Sequence, residues 1–270
     1  MHARIKCFQL VAACLGLMLS NNTSNYLFSQ TDTTEKLSSA EQVLARYVEV
    51  TGGVEKYKAI KSMKQTGKLS LAGTGIEGEV ETTILLPDRL LIKADIPGVA
   101  NETQGILGDI VWSDSTMTGS RIVSDGEADQ MRMELEIRRF YDPAAVHKSL
   151  EFVGESEING ETCYEIKITR QNGSIDHDYY SVETGLQVKS KSKSESVMGS
   201  IEIESFPAEY KEFNGMKFPT RVTQVLPNNL KMVITIESID INQEIDPEIF
   251  ELPDQIKRLV EKQVQDRDKQ

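Results

Sequence analysis

The feature that most constrains this chain is a period of two. Over most of its length, apolar side chains fall on alternate positions in short runs, and the runs are separated by turn residues. Alternation sends successive side chains to opposite faces, so such runs fold as strands with one apolar and one wet side. Ile76, Val80, Ile84 and Leu86 stand opposite Glu77, Glu79 and Glu81. Leu90, Ile92, Ala94 and Ile96 stand opposite Arg89, Lys93 and Asp95, with Pro87-Asp88 as the turn between the two runs. Gly73-Thr74-Gly75 is a plain hairpin turn, and residues 102–107 and 109–113 form two shorter strands joined at Gly108. Tyr164, Ile166 and Ile168 alternate with Glu165, Lys167 and Thr169 after the hairpin signal Asn159-Gly160. Glu183-Thr184-Gly185 turns into the run that holds Leu186 and Val188. Strands near 199–211, 216–226 and 230–241 follow, with Asn214-Gly215 and Asn228-Asn229 between them.

Three segments break the alternation. Ser38 to Glu41 reads as a capping box, followed by Val43, Leu44, Tyr47, Val48 and Val50 at helical spacing, and Gly52-Gly53 stops that helix. Val54 to Ile60 is a short second helix. Residues 126–141 are expected to form one helix carrying Met131, Met133, Leu135, Ile137 and Phe140; Asp142-Pro143 ends it, and Ala144 to Lys148 adds one more turn. Pro247 to Pro253 reads as an extended closing segment, and Gln255 to Gln270 as a charged, frayed helix. The expected class is therefore α+β, mainly β. About ten antiparallel strands in meander order must curl to hide one apolar face. That gives a strongly bent sheet or half-open barrel with helices in its mouth. Either the apolar face encloses a cavity or it packs on the helices as a solid core.

The first thirty residues address the chain. Arg4 and Lys6 precede an apolar run from Cys7 to Leu19, which has the length of a signal-peptide core and is too short to span a bilayer. Residues 1–30 are thus expected to be a signal peptide, 31–253 a single domain, and 254–270 a charged helical tail. Export to the periplasm is expected; alternatively, Leu10-Val11-Ala12-Ala13-Cys14 resembles a lipobox, with Cys14 as a lipid-anchored terminus. The net charge is −12, and loss of Arg4 and Lys6 makes the chain more acidic. That argues against nucleic acid and anionic lipid surfaces as partners, although acidity also serves solubility alone. Beyond the leader only Cys163 remains, so no internal disulfide can form.

Catalytic patterns are thin. No G-x-S-x-G elbow, HExxH helix or phosphate-cradling glycine loop occurs. Asp176-His177-Asp178 places the aspartates on the face opposite the histidine, which is a poor metal site, and reads as a solvated strand end. Lys189, Lys191 and Lys193 read as the wet face of a strand, and Cys163 as a small strand residue. No catalytic residue, metal or cofactor is expected. For an enzyme on this scaffold, Tyr164, Tyr179 and Tyr180 are the visible polar candidates. The candidate apolar cavity lining comprises Val80, Ile84, Leu90, Ile92, Trp112 and Met131, with Leu135, Tyr164, Ile166, Ile168, Val222 and Ile234. Methionines on the covering helix suit a surface that repacks around variable chains, and equally suit a core.

Several stretches resemble the LolA/LolB-like outer-membrane lipoprotein-sorting proteins. They are Tyr47-Val48-Glu49-Val50-Thr51-Gly52-Gly53 with Ile60-Lys61-Ser62, and Trp112 with Met117-Thr118-Gly119-Ser120-Arg121. Asn159-Gly160 with Cys163-Tyr164, Tyr180 with Glu183-Thr184-Gly185-Leu186, Tyr210 with Asn214-Gly215, and Phe218-Pro219 continue the series. The resemblance spans about residues 40–253 and rests on turns and packing positions, which specify fold better than function. It implies a half-open antiparallel barrel whose apolar interior shelters lipid or lipoprotein acyl chains, with 126–148 as a movable lid. Three functions compete: a non-catalytic carrier, an envelope sensor or interaction module whose contact with a protein partner, a basic one being favoured, is regulated by a bound lipid, and a small-molecule enzyme.

Overall fold

The structure, a computed structural model, describes residues 36–194 and 199–267. The expected signal peptide and Cys14 lie outside the described residues. Among the described residues, thirteen strands form one sheet, every neighbouring pair antiparallel. They are β1 (Ser62–Leu71), β2 (Ile76–Leu85), β3 (Arg89–Ile96), β4 (Ala100–Leu107), β5 (Ile110–Ser115), β6 (Gly119–Ile122), β7 (Ser149–Ile158), β8 (Glu161–Thr169), β9 (Ile175–Ser181), β10 (Gln187–Ser194), β11 (Ile201–Phe213), β12 (Met216–Leu226) and β13 (Leu230–Ile241). The spatial order is β6-β5-β4-β3-β2-β1-β13-β12-β11-β10-β9-β8-β7. Two meanders thus meet where β1 pairs with β13, and β6 and β7 are the free edges. Alternation identified the sheet but undercounted it. β1 was missed because Lys64, Gln65, Thr66 and Lys68 dilute its pattern, and β6 because it is four residues long.

Curvature follows from which side chains meet. Ile106 and Val111 near one edge share a single core with Ile166 and Ile168 near the other. A flat sheet would hold these strands tens of ångströms apart at about 4.8 Å per strand. The sheet is therefore a curled, unclosed barrel with its core on the concave side. Both edges are protected against further pairing. β6 is short, and β7 carries Glu151, Glu155 and Glu157 with an irregular register between Phe152 and Gly154.

The concave side is plugged by α1 (Ala40–Val50) and α2 (Val54–Lys58). The capping box is shifted one residue from expectation. Ser39 Oγ accepts from the Gln42 amide at 3.2 Å, and Gln42 Oε1 accepts from the Ser38 amide at 2.9 Å. Ala40, Val43, Leu44, Tyr47 and Val48 then form the buried stripe. The expected helix over 126–141 is broken into α3 (Asp125–Arg132), α4 (Arg138–Tyr141) and α5 (Pro143–Val146). At the first break the bonds tighten to i→i−3, from Glu134 N to Met131 O and from Leu135 N to Arg132 O. There the Arg139 guanidinium donates to the Met133 carbonyl, satisfying a helix-end acceptor.

The convex face carries a second, smaller core. Leu91, Trp112, Phe250 and Ile256 are its buried residues, with Leu85, Leu107 and Ile110 against them. Pro247–Phe250, expected to be extended, is a 3-10 turn that inserts Phe250 here. The helix α6 (Asp254–Arg267) forms as expected but is docked, with Ile256 fully buried, so its first turns are part of the domain. Among the described residues, no helix is long and apolar enough to cross a membrane.

Candidate functional site

The segment from β6 to β7 must travel from one free edge of the sheet to the other. α3, α4 and α5 therefore cross the open side of the barrel. Arg121 on β6 and Glu127 on α3 pair through two hydrogen bonds of 2.9 and 2.5 Å at one end of this crossover. At the other end Lys148 N donates to Thr169 O at 2.8 Å. In the middle, the Phe140 ring stacks on Tyr57 of α2 with centroids 4.7 Å apart.

Under the crossover lies a cavity of about 200 Å³. Leu44, Tyr47 and Val48 of α1 form one wall. Gln130, Met133, Glu134, Arg139, Phe140 and His147 of the crossover form the roof. The floor comes from β8 to β12: Ile168, Arg170, Asp176, Asp178, Tyr180, Gln187, Ser190, Ser192, Ser205 and Gln224. Strand register explains the floor. Asp178 pairs with Ser190, Ser190 with Ser205, and Ser205 with Gln224, so one polar row crosses four strands on the concave face. At about 4.8 Å per strand the row is about 14 Å long.

The floor corrects the reading of Asp176-His177-Asp178 as a solvated strand end. The aspartates do oppose the histidine, but they are the ones turned inward. Asp176 is 7% exposed, whereas His177 sits on the outer face bonded to Glu165 at 2.8 Å. The phase of Tyr180 was the missed signal. If Tyr180 points into the core, Asp178 and Asp176 must follow on the same face. Arg170 Nε donates to Asp176 Oδ2, and Tyr180 donates to Asp178 Oδ2 at 3.2 Å. Burial raises the pKa of Asp178 to about 7, with the neighbouring Asp176 charge adding to the shift. Burial also raises Asp176 and Glu134, partly opposed by Arg170 and by Arg139 with Arg170 respectively. His147 is pushed down to about 4 by burial and by the same two arginines, so it is neutral.

The apolar candidates fall in three groups. Val80, Ile84, Leu90, Ile92, Met131, Tyr164, Ile166, Val222 and Ile234 are all buried in the concave core and do not line this cavity. Leu135 is partly buried against the same core. Ile168 both joins that core and lines the cavity. Trp112 is displaced from the expected set. Its side chain faces the convex cluster, because its strand partner Gly105 and the inward residues Ile106 and Val111 fix the opposite phase. Of the tyrosines, Tyr179 lies on the outer face beside Glu165, and Tyr164 accepts from Leu37 N at 3.2 Å. Cys163 is fully buried, and burial pushes its thiol up to about 11. Lys189 and Lys191 pair with Glu204 and Glu202.

No protein-family model matches the chain, and no curated protein matches it in sequence. Solved structures do match it in fold. A DUF1329 family protein from Desulfovibrio piger aligns over 80% of this chain and 98% of its own, at 14% identity and a TM-score of 0.56. The LolA superfamily protein NE2245 from Nitrosomonas europaea aligns over 80% and 99%, at 12% identity and a TM-score of 0.54. A putative outer membrane lipoprotein-sorting protein domain from Vibrio parahaemolyticus aligns over 78% and 97%, at 10% identity and a TM-score of 0.51. At such identities the likeness is one of fold. The chain has the LolA-like fold, an unclosed antiparallel barrel bridged by a helical crossover.

Proposed function

We propose that this chain is a non-catalytic periplasmic carrier that holds an amphiphile, a lipid or an acylated polypeptide, beneath the crossover of residues 125–146. The observation that carries the reading is the amphipathic cavity at the barrel mouth. Leu44, Val48, Met133, Phe140 and Ile168 offer apolar surface directly beside a polar floor. At about 200 Å³ the cavity exceeds the roughly 150 Å³ that accepts a benzene ring, enough for a head group and a few carbons. A full acyl chain therefore requires the crossover to move. The crossover is three short helical pieces, anchored at both ends and held centrally by the Phe140–Tyr57 stack and by Ala128, Met131 and Ile137 in the core, so opening it must break these contacts. Each methylene then taken from water contributes about 0.8 kcal/mol. The concave core below stays filled, so the carrier site is the crossover interface and not the floor of a deep empty barrel.

The fluorescent apolar probe N-phenylnaphthylamine tests this reading. It should bind with one-to-one stoichiometry and brighten. Met133→Asp, at a partly exposed roof position, should weaken binding at least tenfold without altering the circular dichroism spectrum. Val153→Asp, at an exposed position on β7, should leave binding unchanged. Equal binding by all three proteins, or none by the parent, would remove the amphiphile site.

A further inference from the structure

The polar side of the cavity is unbalanced in a consistent direction. Three carboxyl groups line it, Glu134, Asp176 and Asp178, against two cations, Arg139 and Arg170, while His147 is neutral. Around them Arg170 donates to Asp176, Tyr180 to Asp178, and Arg139 to the Met133 carbonyl. Two buried acceptors are nevertheless left unmet. Asp176 Oδ1 and Gln224 Oε1 both line the cavity without a hydrogen-bond partner, on side chains 7% and 2% exposed. Buried acceptors of this kind are costly unless a donor meets them. Gln224 ends the polar row that begins at Asp178, and the two residues between them are serines. A slot with acid at one end, small hydroxyls along it and an open amide acceptor at the other matches a head group rich in N–H or O–H donors. Once Asp178 is ionised, one positive charge on that head would balance the third carboxylate against the two arginines.

We propose that the cavity selects amphiphiles whose polar head carries a primary ammonium, seated at Asp176 and Asp178, with the head's remaining donors directed along Ser190 and Ser205 toward Gln224. An ammonium has three N–H donors and no acceptor, which fits a floor whose buried Asp176 Oδ1 and Gln224 Oε1 lack a donor. Fatty-acid carboxylates meet the wrong sign at Asp178, and neutral alcohols leave its charge unanswered. The inference deepens the amphiphile reading and rests on it.

Displacement of N-phenylnaphthylamine at pH 8 by decylamine, decanol and decanoate tests it. Decylamine should displace the probe at a concentration at least tenfold below decanol, with decanoate the weakest. Asp178→Asn should bring decylamine to within about twofold of decanol, with an unchanged circular dichroism spectrum reporting an intact fold. Decanoate matching decylamine, or an amine preference that survives Asp178→Asn, would overturn the head-group assignment. Decanol displacing as well as decylamine would overturn it too, while leaving the amphiphile site standing. Failure of all three to displace the probe would overturn both.

Discussion

Asp178 gives the account a thermodynamic handle that does not require a ligand. Its pKa rises from 3.8 to about 7 in the native state, chiefly through burial and then through Asp176. The native fold therefore binds the proton more tightly than the unfolded chain, and stability must fall as pH rises through that interval. Below about pH 4 both states are protonated and nothing is lost. Between about 4 and 7 only the unfolded chain ionises, and above about 7 the full penalty is present. About three units at 1.36 kcal/mol each is about 4 kcal/mol, and water drawn into the cavity reduces this to about 2–4 kcal/mol. Asparagine accepts the same hydrogen bond from Tyr180 and carries no charge at any pH. Urea denaturation of the parent and of Asp178→Asn, from pH 4 to 8.5, should give equal stabilities near pH 4. The variant should then become more stable by about 2–4 kcal/mol, with the difference level above about pH 7. Glu134, Tyr180, Tyr47, Tyr210, His147, Arg139 and Arg170 are present in both proteins, so their own contributions largely cancel, whereas the Asp176–Asp178 repulsion is lost in the variant and is part of the difference. A difference that does not change with pH, or a variant less stable at pH 8, would refute the buried carboxylate argument.

Three further outcomes follow from other contacts. Arg170→Ala leaves Asp176 buried without its cation and should cost about 2–3 kcal/mol, discounted for the fifth of Arg170 that is exposed. Adding Asp176→Asn should recover more than half of that loss in the same denaturation assay. Ile256→Asp should undock α6, shift the fluorescence of the lone tryptophan, Trp112, to the red, and cost about 2–4 kcal/mol. Cys163 should resist a disulfide reagent at pH 8 until the protein is unfolded, because its thiol is buried and held protonated.

Much of the fold was legible because alternation and turns are local signals. Leu90, Ile92, Ala94 and Ile96 line up on the concave core as their spacing requires, and Asn159-Gly160 and Asn214-Gly215 turn where expected. Strands buried on both faces were harder. Leu91 and Trp112 are buried on the convex side only because α6 returns to cover them, and no local pattern announces that return. The break at Met133 was invisible for a similar reason, since Arg139 six residues on supplies the capping donor. The candidate site was less legible. The apolar candidates were open to either a cavity or a filled core; Ile168 borders the cavity, and residues such as Val80, Ile84 and Ile166 lie in the core. The cavity's polar floor is drawn from Asp176, Asp178, Ser190, Ser205 and Gln224, of which the sequence singled out the aspartates alone. Only their register across β9 to β12 shows that they form one row.

Native mass spectrometry of the full chain, purified from cells without detergent, tests the central claim most directly. The account predicts an adduct at near-unit stoichiometry which organic extraction releases as an amphiphile, and which Met133→Asp diminishes. A parent protein that is empty and also takes up no N-phenylnaphthylamine would contradict the carrier assignment and leave the crossover as a structural cover.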